Sequence, residues 1–288
     1  MTVTVAVTGG TGFVGKKLIK GLLDRGFRVI SLQRAKNNST DFETRYFDLS
    51  SPNTINKTLL SNIDVLIHTA SLVHNKKTNS DLYRILNYEA TKQLFDISKE
   101  VSLKKFIYLS TVDVYGVSSH HSAIDINSST QPKTNYAKSK LHSERYLLSE
   151  INNNVKTSVI RLPFVYYENI PGNYCLLDKI SKIKIPLPFG FANNKRSMIS
   201  VDVLIKVLAD ACDNLDLYQG LNLLAEKTPF STKKLVIQLR SHYGMSPNLL
   251  PIPKVFMKIA LIMLGKKRIY NQLYEDLTFI SSIDTSNS

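Results

Sequence analysis

Short apolar runs alternate with longer amphipathic segments over the first half of the chain. The apolar runs are rich in Val and Ile, and the segments between them repeat apolar residues at helical spacing, as in Leu86, Ala90 and Leu94. This pattern predicts strands at residues 2–8, 28–33, 44–47, 64–68, 105–109 and 156–162. Strands that alternate with helices form a parallel sheet covered by helices on both faces. We therefore predict an α/β fold built on a doubly wound parallel sheet.

The pattern loosens after residue 162. Pro163, Pro171-Gly172 and the turn-rich segment 185–190 interrupt it. Beyond them we predict helices at 174–183 and 201–213, a strand near 221–224, and helices from 231 and 253 onward. We therefore divide the chain into residues 1–162 and a smaller mixed α/β lobe, residues 163–288. The polar segment 280–288 is expected to be a frayed tail.

A glycine-rich turn lies between the first predicted strand and the first predicted helix. It reads Gly9-Gly10-Thr11-Gly12-Phe13-Val14-Gly15. Glycines tolerate φ > 0 and let the backbone approach an anion, and the helix N-terminus supplies N–H groups and a positive dipole end. The turn predicts a dinucleotide-binding site of the Rossmann type.

The end of the second strand bears on which dinucleotide fits. A chain that binds NAD places Asp or Glu there to accept a hydrogen bond from the ribose 2′-hydroxyl. This chain has Gln33-Arg34-Ala35-Lys36 instead. With no carboxylate to repel a 2′-phosphate and Arg34 to pair with it, NADP(H) is favoured. If Arg34 merely faces water, NAD(H) fits as well.

Two Tyr–Lys pairs have the spacing that places both side chains on one face of a helix: Tyr136 with Lys140, and Tyr88 with Lys92. Spacing alone does not distinguish them. Tyr136 opens a helix after the loop that follows Thr111 at a strand end, whereas Tyr88 lies inside a helix that packs on the sheet. We therefore predict that Tyr136 and Lys140 are the catalytic pair.

The chain carries a net charge of +14 and has a pI near 9.6. The basic residues are scattered, and no basic run is interleaved with aromatic residues as in single-strand binders, so we expect no nucleic-acid partner. The apolar window at 255–264 is too short to span a bilayer, which needs about 20 residues. We expect a helix packed on the body, although Lys266-Lys267-Arg268 leaves peripheral membrane binding open.

The two cysteines, Cys175 and Cys212, are far apart and lack metal-ligand spacing. They read as ordinary thiols in a reducing compartment, and we expect no metal site. The sequence begins directly in a predicted strand, without the pattern of a secretory signal. The expected location is therefore the cytoplasm.

Taken in order, these residues resemble the extended short-chain dehydrogenase/reductase family of NAD(P)-dependent nucleotide-sugar epimerases, dehydratases and 4-ketoreductases. The likeness covers residues 3–225. Its elements are Thr8 to Gly15, Asp48-Leu49, His68-Thr69-Ala70, Asn87 with Thr91, Leu109-Ser110-Thr111 before Val114-Tyr115-Gly116, Tyr136-x-x-x-Lys140, Arg161-x-Pro163 and Arg196-x-x-Ile199-x-Val201-Asp202. Within the family, the segments at 185–190 and 195–197 are most similar to short bacterial enzymes of O-antigen and capsule sugar synthesis, which act on UDP-N-acetylhexosamines.

The resemblance implies roles for particular residues. With Arg34 included, the implied cofactor contacts are Gly9, Gly12, Phe13, Val14, Arg34, Asp48, Leu49, Ala70, Tyr136, Lys140 and Pro163. The implied catalytic residues are Thr111, Tyr136 and Lys140, and the implied substrate contacts are Thr111, Asn173 and Arg196. Asn173 and Arg196 would hold the diphosphate of a UDP-sugar.

The implied chemistry is hydride transfer between a nicotinamide and C4 of that sugar, during which Tyr136 exchanges the O4 proton. A tyrosine with its ordinary pKa near 10 is too weak a base, so we expect Lys140 and an oxidised nicotinamide to lower that pKa. A 4,6-dehydratase would follow the threonine with an Asp-Glu pair. Val112 at the first of these places disfavours dehydration, and Asp113 stands at the second.

An epimerase keeps its cofactor bound and usually recognises NAD with an acidic residue at the end of the second strand, which is missing here. We therefore expect first an NADPH-using 4-ketoreductase of a UDP-4-keto-6-deoxy-N-acetylhexosamine. The alternative is a UDP-glucose or UDP-N-acetylglucosamine 4-epimerase. A third class, a non-catalytic NADP-sensing or RNA-associated protein on the same fold, would typically lack the Tyr–Lys pair. Whether the chain forms a homodimer is left open by the sequence.

Overall fold

The computed structural model of the chain describes residues 2–34, 40–73, 79–151, 154–167, 170–171 and 175–285. Its strands are β1 (Thr4–Thr8), β2 (Arg28–Gln33), β3 (Glu43–Tyr46), β4 (Val65–His68), β5 (Lys105–Thr111), β6 (Lys156–Leu162), β7 (Phe164–Tyr167), β8 (Ile170–Pro171), β9 (Met198–Ser200) and β10 (Gly220–Leu223). Its α-helices are α1 (Phe13–Asp24), α2 (Ser80–Tyr83), α3 (Ala90–Glu100), α4 (Asn135–Ser149), α5 (Cys175–Ser181), α6 (Val201–Asp213), α7 (Thr232–His242), α8 (Lys254–Met263) and α9 (Lys267–Tyr274).

Seven strands form one sheet in the order β10-β6-β5-β4-β1-β2-β3. Every neighbouring pair in it is parallel; Val5 of β1, for example, lies opposite Val29 of β2 and Val65 of β4. The predicted fold class is confirmed. The strand order reverses at β1, since β2 and β3 extend the sheet to one side and β4, β5 and β6 extend it to the other. In such sheets ligands bind at the carboxyl ends of the strands, beside the reversal.

Helices cover both faces of this sheet. Val5 and Val7 of β1 pack on one side, in a buried cluster that includes Leu18 of α1 and Leu208 of α6. Ala6, which points the other way, belongs to a second cluster formed with α3 and α4. Each strand of the centre is thus apolar on both faces, as a buried parallel sheet requires. None of the described helices combines the length and hydrophobicity that a bilayer crossing requires.

The chain returns to the main sheet after residue 162. Strand β10 pairs with β6, and α6 packs on the same face as α1. The remaining later elements form a small sheet, β8-β7-β9, and helices α5, α7, α8 and α9 around a cluster of their own. The division into residues 1–162 and 163–288 stays a prediction. Residues 220–223 of the later part form β10, the edge strand of the sheet that the earlier part builds.

The expectation of a frayed tail over 280–288 is wrong for its first residues. The Ile280 N–H donates to the Ile124 carbonyl and the Ser282 N–H to the Leu223 carbonyl, both at 2.8 Å, and Ile283 is buried. The tail therefore covers the outer edge of β10 at Leu223. Residues 286–288 lie outside the described residues.

The helical spacing of Leu86, Ala90 and Leu94 does not correspond to one uninterrupted helix. A π-helical segment, Arg84–Glu89, lies between α2 and α3. Within this segment the Asn87 side chain is buried, and its amide accepts from the Leu72 N–H at 2.7 Å and donates to the Leu72 carbonyl at 3.0 Å. The segment thereby holds the chain that leaves β4, at the edge where ligands bind.

Helix α4 begins as the sequence predicts. The Thr134 hydroxyl accepts a hydrogen bond from the Ala137 N–H at 3.1 Å and caps its first turn. Tyr136, Lys140 and Glu144 follow at four-residue spacing, so the three side chains share one face. Lys140 and Glu144 are buried.

Glu144 forms a buried ion pair with Arg161 of β6. The Arg161 Nη2 and Nε atoms donate to Oε2 of Glu144 at 2.7 and 3.1 Å. The Ser110 hydroxyl of β5 donates to the same carboxylate, and Arg161 Nη1 donates to the Tyr115 hydroxyl at 3.0 Å. One carboxylate therefore ties α4 to both strands beneath it.

We expect Glu144→Ala to lower the free energy of unfolding by about 3–5 kcal/mol, because it leaves the Arg161 guanidinium buried without its counter-charge. Urea unfolding followed by circular dichroism measures this. The matched control is Asp24→Ala, which removes the exposed ion pair between Lys20 and Asp24 and is expected to cost at most about 1 kcal/mol. Equal losses in the two variants would contradict the role given to Glu144.

Candidate functional site

A cleft of about 1000 Å³ runs along the carboxyl edge of the main sheet. Its walls come from the glycine turn, the ends of several strands, the start of α4, and α9 from the later part of the chain. It brings together the predicted residues Gly9, Gly12, Phe13, Val14, Arg34, Asp48, Leu49, Ala70, Thr111, Tyr136, Lys140, Pro163 and Arg196. Asn173 lies outside the described residues.

The glycine turn is shaped for close backbone packing. Gly9 has φ +73°, and a Cβ atom built on Gly15 would lie 2.1 Å from the Gly9 carbonyl oxygen. Gly12 precedes the first residue of α1 and brings no side chain to its N-terminus, and the first turn of α1 carries no acidic residue. The N–H groups of that turn therefore open onto the cleft, which suits an anion such as a pyrophosphate.

A buried histidine fixes the loop opposite the glycine turn. His68 lies between two threonine hydroxyls, with Nδ1 2.7 Å from Thr8 Oγ1 and Nε2 3.0 Å from Thr91 Oγ1. Thr8 Oγ1 accepts from the Thr69 and Ala70 N–H groups, so its proton goes to Nδ1, which leaves Nε2 to donate to Thr91. Burial lowers the pKa of His68 to about 3. His68 is thus a neutral structural group.

The end of β2 presents Arg34 to the cleft as an exposed side chain. Asp48 lines the same end of the cleft. Hydrogen bonds from the Ser50 N–H and hydroxyl hold the pKa of Asp48 below its ordinary value, and the positive charge of Arg34 acts in the same direction. Arg34 is therefore close enough to the cleft to act on an anion placed there.

Tyr136 is half-buried and faces the cleft. Burial raises the pKa of its phenol, the Asp113 carboxylate raises it further, and a hydrogen bond with Ser71 acts against both. The net direction from the groups of the chain is upward, opposite to the lowering that we expected from Lys140 together with an oxidised nicotinamide. These groups by themselves favour the protonated phenol.

Lys140 is buried beneath the cleft. Its Nζ donates to the Leu109 carbonyl at 2.7 Å and lies 4.4 Å from the centre of the Tyr108 ring. Burial lowers the pKa of Lys140 to about 7, against the opposing effect of the Glu144 carboxylate. The amine therefore changes its charge near neutral pH, in contact with the strand that ends at Thr111.

The second Tyr–Lys pair lies elsewhere. The Tyr88 ring packs edge-on against His142 and Tyr146, with centroids 5.9 and 6.5 Å apart. Lys92 forms an ion pair with Asp96 at 2.6 Å. Both residues lie between α4 and its neighbouring helix, and neither is part of the wall of the cleft.

Thr111 caps the short 3-10 turn Val112–Tyr115. Its Oγ1 accepts from the Asp113 N–H at 3.2 Å, and the hydroxyl keeps its own hydrogen for donation. Asp113 also lines the cleft. A carboxylate, a hydroxyl and a phenol thus meet at the mouth of β5.

Arg196 is placed in the cleft wall, and its Nη1 is within hydrogen-bonding distance of the carbonyls of Ser118, Asn271 and Glu275, at 3.3 to 3.4 Å. The guanidinium therefore also ties the wall of the cleft to α9. Arg268 and Gln272 of α9 line the cleft too, and sequence reasoning did not assign them to it.

Ser71, the hydrogen-bonding partner of Tyr136, was missed as well. The basic run 266–268 was the one signal that could have pointed to Arg268. Nothing in the local pattern distinguishes Ser71 from other serines.

We expect the stability difference between Lys140→Met and the parent chain to depend on pH. The pKa of Lys140 is about 7 when folded and 10.5 ordinarily, so between these values the unfolded chain binds more protons and the parent gains stability as pH rises. The advantage of the methionine variant should be greatest near pH 7 and shrink toward about pH 10.

Urea unfolding of both chains at several pH values measures this. The control is Lys138→Met, an exposed neighbour on α4, whose stability difference should be the same at each pH. A Lys140→Met difference that is also constant with pH would show that the buried amine does not titrate in this window.

The chain is similar in sequence to two 4-epimerases and in fold to a solved structure. A "UDP-glucose 4-epimerase" from Vibrio cholerae is 28% identical over 284 residues, covering 95% of this chain and 86% of its own. An "N-acetyl-alpha-D-glucosaminyl-diphospho-ditrans,octacis-undecaprenol 4-epimerase" from Escherichia coli O157:H7 is 24% identical over 270 residues, covering 92% and 78%. The solved structure "MoeE5 in complex with UDP-glucose and NAD" superposes with a TM-score of 0.72 at 18% identity, covering 97% of this chain and 89% of the other, which shows the same fold.

The family match agrees with the geometry of the cleft. It extends over residues 5–181 and so contains the glycine turn, Thr111 and the Tyr136–Lys140 pair. This chain is a member of the NAD dependent epimerase/dehydratase family.

Proposed function

We propose that the chain is an NAD(P)-dependent enzyme that moves hydride at C4 of a UDP-linked sugar and thereby inverts that carbon, a nucleotide-sugar 4-epimerase. The observation that carries the proposal is the meeting of Thr111, Tyr136 and Lys140 with the glycine turn in one cleft. The names of the two curated relatives support epimerisation at C4. A cytoplasmic location, where such a substrate would be met, belongs to the same proposal.

The residues present fit a dinucleotide. The first turn of α1 would hold the pyrophosphate, and Asp48 and Leu49 would meet the adenine end. Ala70 and Pro163 line the space between that end and Tyr136. The bound nicotinamide supplies the capacity to accept and return a hydride.

The chain itself moves a proton. When C4 is oxidised, the phenolate form of Tyr136 takes the O4 proton, and when C4 is reduced the resulting phenol returns it. The Thr111 hydroxyl would donate to O4 and fix its position beside the phenol. Lys140 would bind the nicotinamide ribose, and when protonated it favours the phenolate form of Tyr136. Arg196 and Arg268 are suited to the substrate diphosphate, because a guanidinium pairs with phosphate oxygens.

A second candidate is the 4-ketoreductase of a UDP-4-keto-6-deoxy-N-acetylhexosamine. Two observations favour it. Arg34 lines the cleft, and its guanidinium suits the 2′-phosphate of NADPH, a cofactor that is used and released. Burial and Asp113 raise the pKa of Tyr136, and a protonated phenol suits the direction in which O4 receives a proton.

Product analysis separates these candidates. The purified chain is incubated with UDP-glucose or UDP-N-acetylglucosamine and NAD, and separately with a UDP-4-keto-6-deoxy-N-acetylhexosamine and NADPH. Interconversion of a UDP-sugar without net change in cofactor supports the epimerase, and stoichiometric loss of NADPH supports the reductase. RNA binding by a chain inactive on every sugar would support the non-catalytic class instead.

We expect Tyr136→Phe to lower turnover by about 10²–10⁴-fold, because it removes the group that exchanges the O4 proton, while dinucleotide binding is retained. Steady-state rates and a dinucleotide titration measure the two effects. Tyr88→Phe is the matched control and should leave the rate nearly unchanged. Equal losses in both variants would show that Tyr136 has no special role.

We expect Arg34→Asp to weaken NADPH binding far more than NADH binding, since a carboxylate repels the 2′-phosphate and can accept from a 2′-hydroxyl. The ratio of the two dissociation constants is the measurement. Arg28→Asp, at the opposite end of the same strand, is the control. An unchanged ratio in the Arg34 variant would remove the argument for NADP(H).

A further inference from the structure

Helix α8 is apolar on the side that faces away from the protein. Phe256 and Met263 are 64% and 81% exposed, and Val255, Ile259 and Ile262 are exposed as well. These five side chains, which we call the outer face of α8, lie within ten residues of helix. Single exposed apolar residues are ordinary on a protein surface, but a contiguous group marks a contact surface.

Only the opposite side of α8 packs against the rest of the protein. Met257 and Leu261 are half-buried and pack against the cluster that contains α7 and α9. Residues four apart lie on one stripe, so this inner stripe is opposite the one that runs through Val255, Ile259 and Met263. An amphipathic helix that only packed on the body would be polar on that second stripe.

The outer face is surrounded by positive charge. Lys254 and Lys258 are exposed on the helix itself, and Lys266, Lys267 and Arg268 follow it. The sequence from Lys227 to Tyr274 contains seven lysines, two arginines and no Asp or Glu. Two copies of this chain meeting through the outer face would bring like charges together, which disfavours a symmetric dimer there.

Helix α8 leads into the helix that forms one wall of the cleft. Helix α9 begins four residues after α8 ends, and its residues Arg268, Ile269 and Gln272 line the cleft wall. A surface that contacts α8 therefore lies close to one wall of the cleft.

We propose that the outer face of α8 docks this protein on an anionic lipid bilayer. The apolar side chains enter the boundary between headgroups and acyl chains, and the surrounding lysines contact anionic headgroups. The protein lies on the membrane and does not span it. Docking of this kind places α9, one wall of the cleft, near the bilayer and is independent of which reaction the cleft performs.

The chain contains no tryptophan, so a single one can report on the contact. Phe256→Trp is mixed with vesicles of phosphatidylglycerol and phosphatidylcholine, or of phosphatidylcholine alone, with no nucleotide or sugar present. The proposal predicts a blue shift of emission and quenching by brominated acyl chains with the anionic vesicles. Tyr46→Trp, at a position 60% exposed on β3, is the matched control and should show neither.

Vesicle flotation then tests the side chains. We expect the triple change Val255→Gln, Phe256→Gln and Ile259→Gln to weaken anionic-vesicle binding at least tenfold. Lys254→Gln and Lys258→Gln should each weaken it roughly fivefold, and added salt should weaken it further. The control is Ile280→Gln, at a position 56% exposed elsewhere. Because all these positions are exposed, the variants should unfold at parental urea concentrations.

Three outcomes would overturn the proposal. One is absence of a Phe256→Trp response in a folded chain. Another is vesicle binding that the triple change leaves intact. The third is light scattering that shows a dimer of the parent chain and a monomer of the triple variant without vesicle binding, which would assign the face to a second copy. None of these readouts uses turnover, so a failed docking test and a failed test of the 4-epimerase reaction are distinguishable.

Discussion

The candidate site depends on one buried carboxylate. Glu144 accepts hydrogen bonds from Arg161 of β6 and from Ser110 of β5, and it lies one turn beyond Lys140 and two beyond Tyr136 on α4. Removing two charges from water is costly, and the cost is offset only when the pair is well aligned. The same alignment sets the rotation of α4, and with it the direction in which the phenol points.

The burial that makes this ion pair costly also shifts the pKa values of the neighbouring side chains. Away from water the charged form of a group is disfavoured, so the pKa of Lys140 falls and that of Tyr136 rises. Two titratable groups whose pKa values are pushed apart by their surroundings are typical of sites that transfer protons. His68 shows the contrast: burial lowers its pKa as well, but it is enclosed between two threonines, where it only positions the loop beside the glycine turn.

Much of the sheet could be predicted because its signals are local. The strands Arg28–Gln33 and Lys156–Leu162 have the predicted bounds, and the glycine turn lies where its spacing indicates. What was missed depends on contacts between residues distant in sequence. Ser71 faces Tyr136 only after β4 and α4 are packed together. The ordered start of the tail, residues 280–283, was missed for the same reason. Its hydrogen bonds to Ile124 and Leu223 cannot be predicted from a polar composition.

The position of β10 has a consequence for how the chain is made. The edge of β6 is completed by residues 220–223, and these are in turn covered by residues 281–283. During synthesis on the ribosome the amino-terminal strands are complete long before their final neighbour emerges. The growing chain therefore exposes an unpaired strand edge of the kind that invites aggregation until residues 220–223 have emerged.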